Sequence, residues 1–288
     1  MRNMINRSID DPAQEYDYIV VGAGSAGCVV ASRLTEDPDI DVLLLEAGPA
    51  DSHPAITEPP AWPALWGSAV DHGYHTVAQP GTDGISHNWP RGRTLGGSSA
   101  INAMVYLRGH PNDFDRWADR GCTGWDYESV LPYFRRMESA PGRDPRYRGS
   151  TGPMSPAPAA PAVANPLSQV FLDGASEAGF ALTDDFNGAH PEGAGWHDLS
   201  ISEGVRQSTA AAYLHPVRAG RPNLHVATGA RAHRLLFDGN HCVGVEFDRA
   251  GQLVRVRARA EVVLSAGTVD TPRLLLLSGI GPAGELEA

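Results

Sequence analysis

The apolar run Tyr18-Ile19-Val20-Val21 stops at Gly22-Ala23-Gly24-Ser25-Ala26-Gly27, and this GxGxxG constrains the chain more than any other feature. A short apolar run halted by glycines reads as a buried parallel strand. The residues that follow, Ser25 to Thr35, carry Ala26, Val29, Val30 and Leu34 at helical spacing, and Asp37-Pro38-Asp39 ends that helix. Asp41 to Glu46 is a second strand, so the order is strand, helix, strand, a βαβ unit. In that setting each glycine has a task. Gly22 permits the tight turn, Gly24 lets backbone approach a pyrophosphate, and Gly27 lets helix and strand pack closely. The helix start, with Ser25 and Ala26, offers free N–H groups and about half a positive charge to phosphates. Glu46, with Ala47 after it, closes the second strand at the distance expected of a carboxylate that accepts from ribose hydroxyls. An ordinary strand-end carboxylate is the plainer reading of Glu46. The fingerprint alone leaves FAD and NAD both open.

Residues 50–93 are rich in Pro, Gly, Trp and His with little periodicity, and read as a long irregular excursion packed on the surface. Within it, Trp62, Trp66, Tyr74 and Trp89 read first as packing and second as aromatic walls of a substrate pocket. Residues 91–109, RGRTLGGSSAINAMVYLRG, hold a second glycine-rich motif. Gly96-Gly97-Ser98-Ser99 gives unhindered backbone and two hydroxyls, which predicts an anion-binding loop leading into a buried helix or strand; a mere tight turn is the alternative.

Downstream, Asp126 starts a helix through Tyr127, Val130, Leu131 and Phe134, although Pro132 argues for a break. Residues 151–162 are a Pro/Ala stretch that reads as a surface connection. Asn165-Pro166 opens a helix whose apolar stripe is Leu167, Val170, Phe171 and Ala175, ended by Gly179. Strands are expected at Leu224–Ala227, Ala232–Phe237, Val243–Phe247, Leu253–Val256 and Glu261–Leu264, a β-meander returning to the main sheet. Thr271-Pro272 then starts a helix over Arg273–Leu277, ended by Gly279.

The stretches DYIVVGAGSAGCVVASRL, LLLEAGP, WPRGRTLGGSSAINAMVYLRGHPNDFDRWA, GWDYESVLPYF, RQSTAAAYL and SAGTVDTPRLLLLSGIGP resemble the glucose–methanol–choline (GMC) oxidoreductases, in their choline dehydrogenase-like branch. They run in family order over nearly the whole chain, and residues 93–109 and 265–279 match the family's paired signatures. The resemblance implies an α/β fold: a Rossmann-like FAD-binding domain, with a parallel sheet plus β-meander, and the beginning of a substrate-binding domain. It implies a FAD-binding domain over residues 1–155 with an inserted FAD-covering segment at about 50–110, part of a substrate-binding domain over 156–222, and a return to the FAD-binding domain over 223–288. It also implies bound FAD, with Gly22, Gly24, Ser25, Ala26 and Gly27 at the pyrophosphate and Glu46 and Ala47 at the adenosine ribose. Arg93, Gly97 and Ser98 would lie along the cofactor, and Asn102, Ala103, Met104 and Val105 past the flavin ring. The segment Thr228-Gly229-Ala230-Arg231-Ala232 matches the adenine-contacting strand, with Ala232 where valine is usual, and Ala266 falls in the second signature. Some members tether FAD through a histidine in the second glycine motif; Ile101 stands there, so the resemblance implies a non-covalent cofactor.

Bulk properties exclude several classes. The formal net charge of −11 repels phosphate backbones, so nucleic acid is not an expected partner. Cys28, Cys122 and Cys242 make neither a disulfide framework nor a CxxC metal pair; Cys28 reads as a small core residue. The first residues are polar and acidic without an apolar signal core, and no run is long enough to span a bilayer, which points to a cytoplasmic protein. Of 11 histidines, His72 and His75 are the only close pair and no metal motif accompanies them; His110 reads as a structural hydrogen bonder.

The family reaction is oxidation of a primary alcohol to an aldehyde by hydride transfer to flavin N5, with a histidine as base near the end of a chain about twice this long. No histidine here matches that motif, so no catalytic residue is assigned. The expectation is a chain that supplies the FAD-binding half, with a second chain or missing C-terminal half completing the fold and the substrate site. The alternatives are a non-catalytic or truncated flavin-binding module, and another chemistry on the same fold, since the family includes hydroxynitrile lyases and a fatty-acid photodecarboxylase.

Overall fold

A computed structural model describes residues 15–159 and 164–287. The polar N-terminal segment read above for targeting signals, and the part of the Pro/Ala stretch from residue 160 to 162, lie outside the described residues. The chain forms two compact units: one runs to Asn102 and resumes at Ser208, the other is Ala103–Gln207.

The first unit opens with strand β1 (Glu15–Val21), helix α1 (Ser25–Leu34) and strand β2 (Val42–Leu45). Both strands are buried on two faces, and period-two alternation divides their side chains between two cores. Ile19, Val21, Leu43 and Leu45 join one; Val20, Val42 and Leu44 join the other, with Cys28 and Ala31 of α1. The excursion is less formless than its sequence. It holds helix α2 (Pro54–Thr57), a 3₁₀ run at Pro59–Leu65, and a small hairpin of β3 (Tyr74–His75) with β4 (Asn88–Trp89). Ile56, Leu65 and Val70 pack with Ala100 and Ile101 in a core of their own. The second glycine motif forms a 3₁₀ turn at Gly97–Ala100.

The second unit contains β5 (Val105–Tyr106), α3 (Pro111–Asp119), α4 (Tyr127–Met137), β6 (Ala157–Pro158), α5 (Pro166–Glu177), β7 (Asp198–Leu199), β8 (Ile201–Ser202) and β9 (Val205–Arg206). Its small sheet has the order β5-β7-β6. His110 caps α3, its Nδ1 accepting from the Asn112 N–H at 3.2 Å, the structural role expected of it. Pro132 does not break α4. It removes the helical donor of the Glu128 carbonyl, but both positions are exposed, where solvent can reach that carbonyl. The apolar stripe of α5 departs from expectation more sharply: Leu167, Val170 and Phe171 are 71%, 63% and 70% exposed. The helix forms with its Asn165 cap and Pro166 start, but nothing described covers its apolar face.

The unit's interior is held by charge. Arg148, fully buried, donates to Glu138 at 2.7 Å, Asp185 at 2.5 Å and Asp198 at 2.7 Å, and Arg108 reaches Glu138 at 2.8 Å. Nothing in the sequence pattern marked this cluster, whose members are scattered over 90 positions of chain (Arg108 to Asp198).

From Ser208 the chain returns to the first unit through a π-helical turn at Ala210–Leu214 and α6 (His215–Arg218). Strands β10 (Leu224–Ala227), β11 (Ala230–Asp238), β12 (His241–Arg249) and β13 (Gln252–Leu264) follow, then helices α7 (Gly267–Leu277) and α8 (Ala283–Leu286). The sheet order is β10-β2-β1-β13-β12-β11. Two expected strands, 253–256 and 261–264, are one: β13 runs antiparallel to β12 up to Arg257 and parallel to β1 from there to Leu264. Arg255, Arg257 and Arg259 made the middle look like a gap. They alternate with Val254, Val256 and Ala258 in unbroken strand period, and Arg259 pairs with Asp17 at 2.8 Å. Helix α7 begins at Gly267, before the predicted Thr271. Pro272 sits inside it, and the Thr268 carbonyl it orphans is at an exposed position.

Candidate functional site

The parallel strands end level with one another: Val21 is in register with Leu45 and Leu264, and Leu45 with Ala227. Sites of open α/β sheets form outside such carboxyl ends. Here a cavity of about 720 Å³ opens there, within the usual range for small-molecule sites.

Two helix N-termini meet this cavity. Helix α1 starts after Gly24 and α7 after Ala266, and neither has a side-chain cap. Their first-turn N–H groups are therefore available to a bound anion, and both macrodipoles put positive potential at their starts. The second lies at Gly267, ahead of the Thr271 start that the sequence predicts. Backbone spacing completes the cradle. Gly22 has φ +96°, and the Ser265 hydroxyl donates to the Val21 and Gly22 carbonyls at 3.0 and 2.9 Å, fixing the turn. A Cβ on Gly27 would stand 1.9 Å from the Gly22 oxygen, so this glycine is required by packing. A Cβ on Gly24 would meet nothing closer than 3.9 Å. Gly24 is thus not needed by the protein's own packing, and it lines the cavity. Gly97, at φ +52°, would bring a Cβ to 2.6 Å from the Gly24 Cα, so the two glycine motifs cross backbone to backbone.

Of the residues singled out from sequence, Gly22, Gly24, Ser25, Ala26, Glu46, Ala47, Gly97, Ser98, Ala232 and Ala266 line the cavity. Gly27 stands behind it at the helix–strand contact. Arg93 is also behind the wall: its N–H donates to the Val70 carbonyl at 2.7 Å and its guanidinium to the Ala69 carbonyl at 3.0 Å. Its charge nonetheless acts on Glu46. Asn102 closes the first unit, and Ala103, Met104 and Val105 open the second; the cavity wall consists of first-unit residues. Met104 has φ +63°, and its carbonyl accepts from the Ser200 N–H at 2.8 Å. His72, Arg91 and the first turns of α7 also line the cavity and were given no cofactor role from sequence, and Arg231, of the segment matched to the adenine-contacting strand, joins them. No local pattern marked His72, since the excursion that carries it has no periodicity, whereas Arg91 opens the second glycine-rich motif.

Glu46 is buried and already engaged. Its two oxygens accept from the Ala23 N–H at 3.0 Å and the Gly48 N–H at 2.8 Å. Burial pushes its carboxyl up to about 7, against the pull of those N–H groups and of Arg93. Each oxygen retains a further lone pair for a donor in the cavity. Burial holds the His72 imidazole below its usual range, while Asp270 opposes that shift. Among the described residues no group of three or more His, Cys, Asp or Glu could hold a metal ion, and no helix is long and apolar enough to cross a membrane.

A cavity outside parallel strand ends, entered by two uncapped helix N-termini and flanked by an acid at the end of the second strand, defines a dinucleotide-binding protein of the α/β class. The chain belongs to the GMC oxidoreductase family, whose model matches residues 16–286; the family and its structural neighbours are FAD-dependent. It is 48% identical over 281 residues to the mitochondrial choline dehydrogenase of Homo sapiens, covering 95% of this chain and 47% of that protein. The oxygen-dependent choline dehydrogenase of Vibrio vulnificus is 44% identical, with 95% of this chain and 49% of that protein covered. The crystal structure of pyridoxine 4-oxidase from Mesorbium loti superposes with a TM-score of 0.91 at 40% identity, covering 95% of this chain and 53% of that one. The chain spans about half the length of the curated relatives it matches.

Proposed function

We propose that this chain is the FAD-binding half of an oxidoreductase that converts a primary alcohol to an aldehyde, and that it holds FAD without a covalent bond. The observation that carries this reading is that Gly24, whose hydrogen the protein's own packing does not require, lines the cavity together with the uncapped starts of α1 and α7. That cradle suits a pyrophosphate: unhindered backbone, free N–H groups and two converging dipoles.

Gly22, Gly24, Ser25, Ala26, Gly97 and Ala266 would hold the phosphates, Glu46 and Ala47 the adenosine ribose, and Ala232 the adenine. Gly27 and Arg93 would support them from behind, by packing and by charge. Ser98 would border the cofactor, and Asn102 to Val105 would run past the flavin ring. Residues 1–155 and 223–288 would form the FAD-binding domain by role, and 156–222 the start of the substrate-binding domain. FAD, when bound, would supply the two-electron acceptor for the alcohol. Ile101, 2% exposed among Ile56, Leu65 and Val70, offers no nucleophile to tether it. The base that takes the hydroxyl proton is assigned to the polypeptide that completes the fold, because no described histidine matches the family's motif.

The test is an absorbance spectrum with native mass spectrometry of the purified protein, followed by acid precipitation. Flavin bands and a mass increment of one FAD, both lost to the supernatant on precipitation, are expected. Flavin that stays with the pellet refutes the non-covalent assignment, and a colourless protein that takes up no added FAD refutes the reading as a whole. Bleaching by an anaerobic primary alcohol, with the completing polypeptide present, separates alcohol oxidation from a lyase or a non-catalytic module.

A further inference from the structure

The cavity wall joins two parts of the chain that are remote in sequence. One is the start of α7; the other is the excursion, which contributes His72, Arg91 and Gly92. Asp71 shapes the excursion from within. Its Oδ1 accepts from the Arg91 and Gly73 N–H groups at 2.9 and 3.2 Å, and its Oδ2 from the Gly67 N–H at 2.8 Å. The side-chain link from this loop to α7 is Tyr74, whose hydroxyl donates to Asp270, 2.8 and 2.9 Å from its two oxygens. The His72 ring stacks flat on Tyr74, with centroids 5.0 Å apart and planes within 8°, and its Nε2 lies 3.7 Å from Asp270. Arg273 holds Asp270 from the other side at 3.1 Å. Burial and the Asp270 bond push the phenol up to about 12, so it stays a donor. His72 and Asp270 share the cavity lining with Glu46 and Arg231.

We propose that Tyr74, His72 and Asp270 form a latch that holds the excursion against α7 and sets how fast FAD leaves the cavity, an assignment that rests on the FAD reading above. A bond joining two walls must open or flex before a ligand that fills the space between them departs. Its strength therefore enters the dissociation rate more than the association rate. Tyr74 lies outside the glycine turns and the capless helix starts, whereas Asp270 stands in the first turn of α7, so Tyr74→Phe is the change that loosens the latch and leaves the phosphate cradle in place. These are positioning residues: they act on retention through the wall they close.

The experiment measures FAD release from the loaded protein by the recovery of flavin fluorescence on dilution. Tyr74→Phe keeps the ring stack and removes only the hydroxyl; it is expected to speed release on the order of tenfold, the effect of one hydrogen bond to a charged group. Asp270→Asn, which keeps an acceptor oxygen, is expected to fall between Tyr74→Phe and wild type. The association rate should stay at its wild-type value, whereas a purely structural role, by loosening the phosphate cradle, would lower it as well. Hydrogen exchange of the unliganded chain gives a second readout: amides of residues 74–89 should exchange faster in Tyr74→Phe, with the sheet unchanged. Loaded wild type and Tyr74→Phe releasing FAD at one rate overturns the latch and leaves FAD binding standing. A wild-type protein that takes up no FAD overturns both.

Discussion

Gly24 and Gly27 lie three residues apart in one motif, yet the structure gives them separable tasks, and paired alanine substitutions expose the difference. At Gly24 the backbone is at φ −81° and ψ −161°, an extended conformation any residue adopts. A methyl there meets nothing within 3.9 Å. Gly24→Ala should therefore leave the unliganded fold intact, or stabilise it by about 0.4–1 kcal/mol by restricting the unfolded chain. Gly24 lines the cavity, so the same methyl is expected to hold a phosphate off the N–H groups of α1. Losing one charge-assisted hydrogen bond costs about 1.5–3 kcal/mol, roughly a 10- to 150-fold weaker FAD affinity. Gly27→Ala is the reverse case. Its methyl would stand 1.9 Å from the Gly22 oxygen and 2.7 Å from the Ser265 hydroxyl, so backbone must move. Overpacking of this kind costs about 1–3 kcal/mol, and each kcal/mol lowers the melting temperature of a domain this large by about 2–4 °C. Differential scanning fluorimetry without cofactor and a flavin-fluorescence titration measure the two effects independently. The reasoning fails if Gly24→Ala melts as early as Gly27→Ala, or if it binds FAD as tightly as wild type.

Three further outcomes follow from buried or exposed side chains. Glu46, raised from 4.5 to about 7 by burial, favours its protonated form in the unliganded fold. Its contribution to stability is therefore fully present below pH 4.5 and lost as pH rises through about 7, on the order of 3 kcal/mol in all; Glu46→Gln should lack this loss when thermal midpoints are compared from pH 4.5 to 8. Ribose hydroxyls donating to Glu46 favour the ionised form, so FAD binding should tighten from pH 6 to 8 and release protons near pH 7, a point that calorimetry in two buffers decides. In the second unit, Glu138→Ala removes the buried carboxylate that Arg108 and Arg148 share, leaving Arg148 with Asp185 and Asp198, and should cost about 3–5 kcal/mol in urea unfolding. A loss under 1 kcal/mol would mean the cluster is well solvated. Phe171→Ser, on the exposed face of α5, should shift the stability of the chain alone by no more than about 0.5 kcal/mol. If a completing polypeptide covers that face, the same substitution should weaken its capture.

What the sequence determined by itself was local and repetitive. The βαβ start, the task of Gly27, the acid at Glu46, the cap at Asn165 and the structural role of His110 follow from short-range chemistry: strand and helix periods, free N–H groups and side chains that serve them. Where two local signals competed, tertiary pairing decided. Pro132 and Pro272 read as a break and a start because an isolated helix loses a bond there; in the fold the orphaned carbonyls are at exposed positions and the helices continue. The arginines of β13 read as a gap until β12 and β1 paired with its two ends. Contacts between distant segments left no local trace at all. The approach of α7 to the GxGxxG turn, the Tyr74–Asp270 bond across 196 positions and the Arg148 ion cluster join residues whose neighbours in sequence are ordinary. The stripe on α5 shows the converse: its period is legible, but which surface buries it is a property of what packs there. A repeating backbone geometry writes its period into the sequence, whereas a contact made once, by chain folding back on itself, does not.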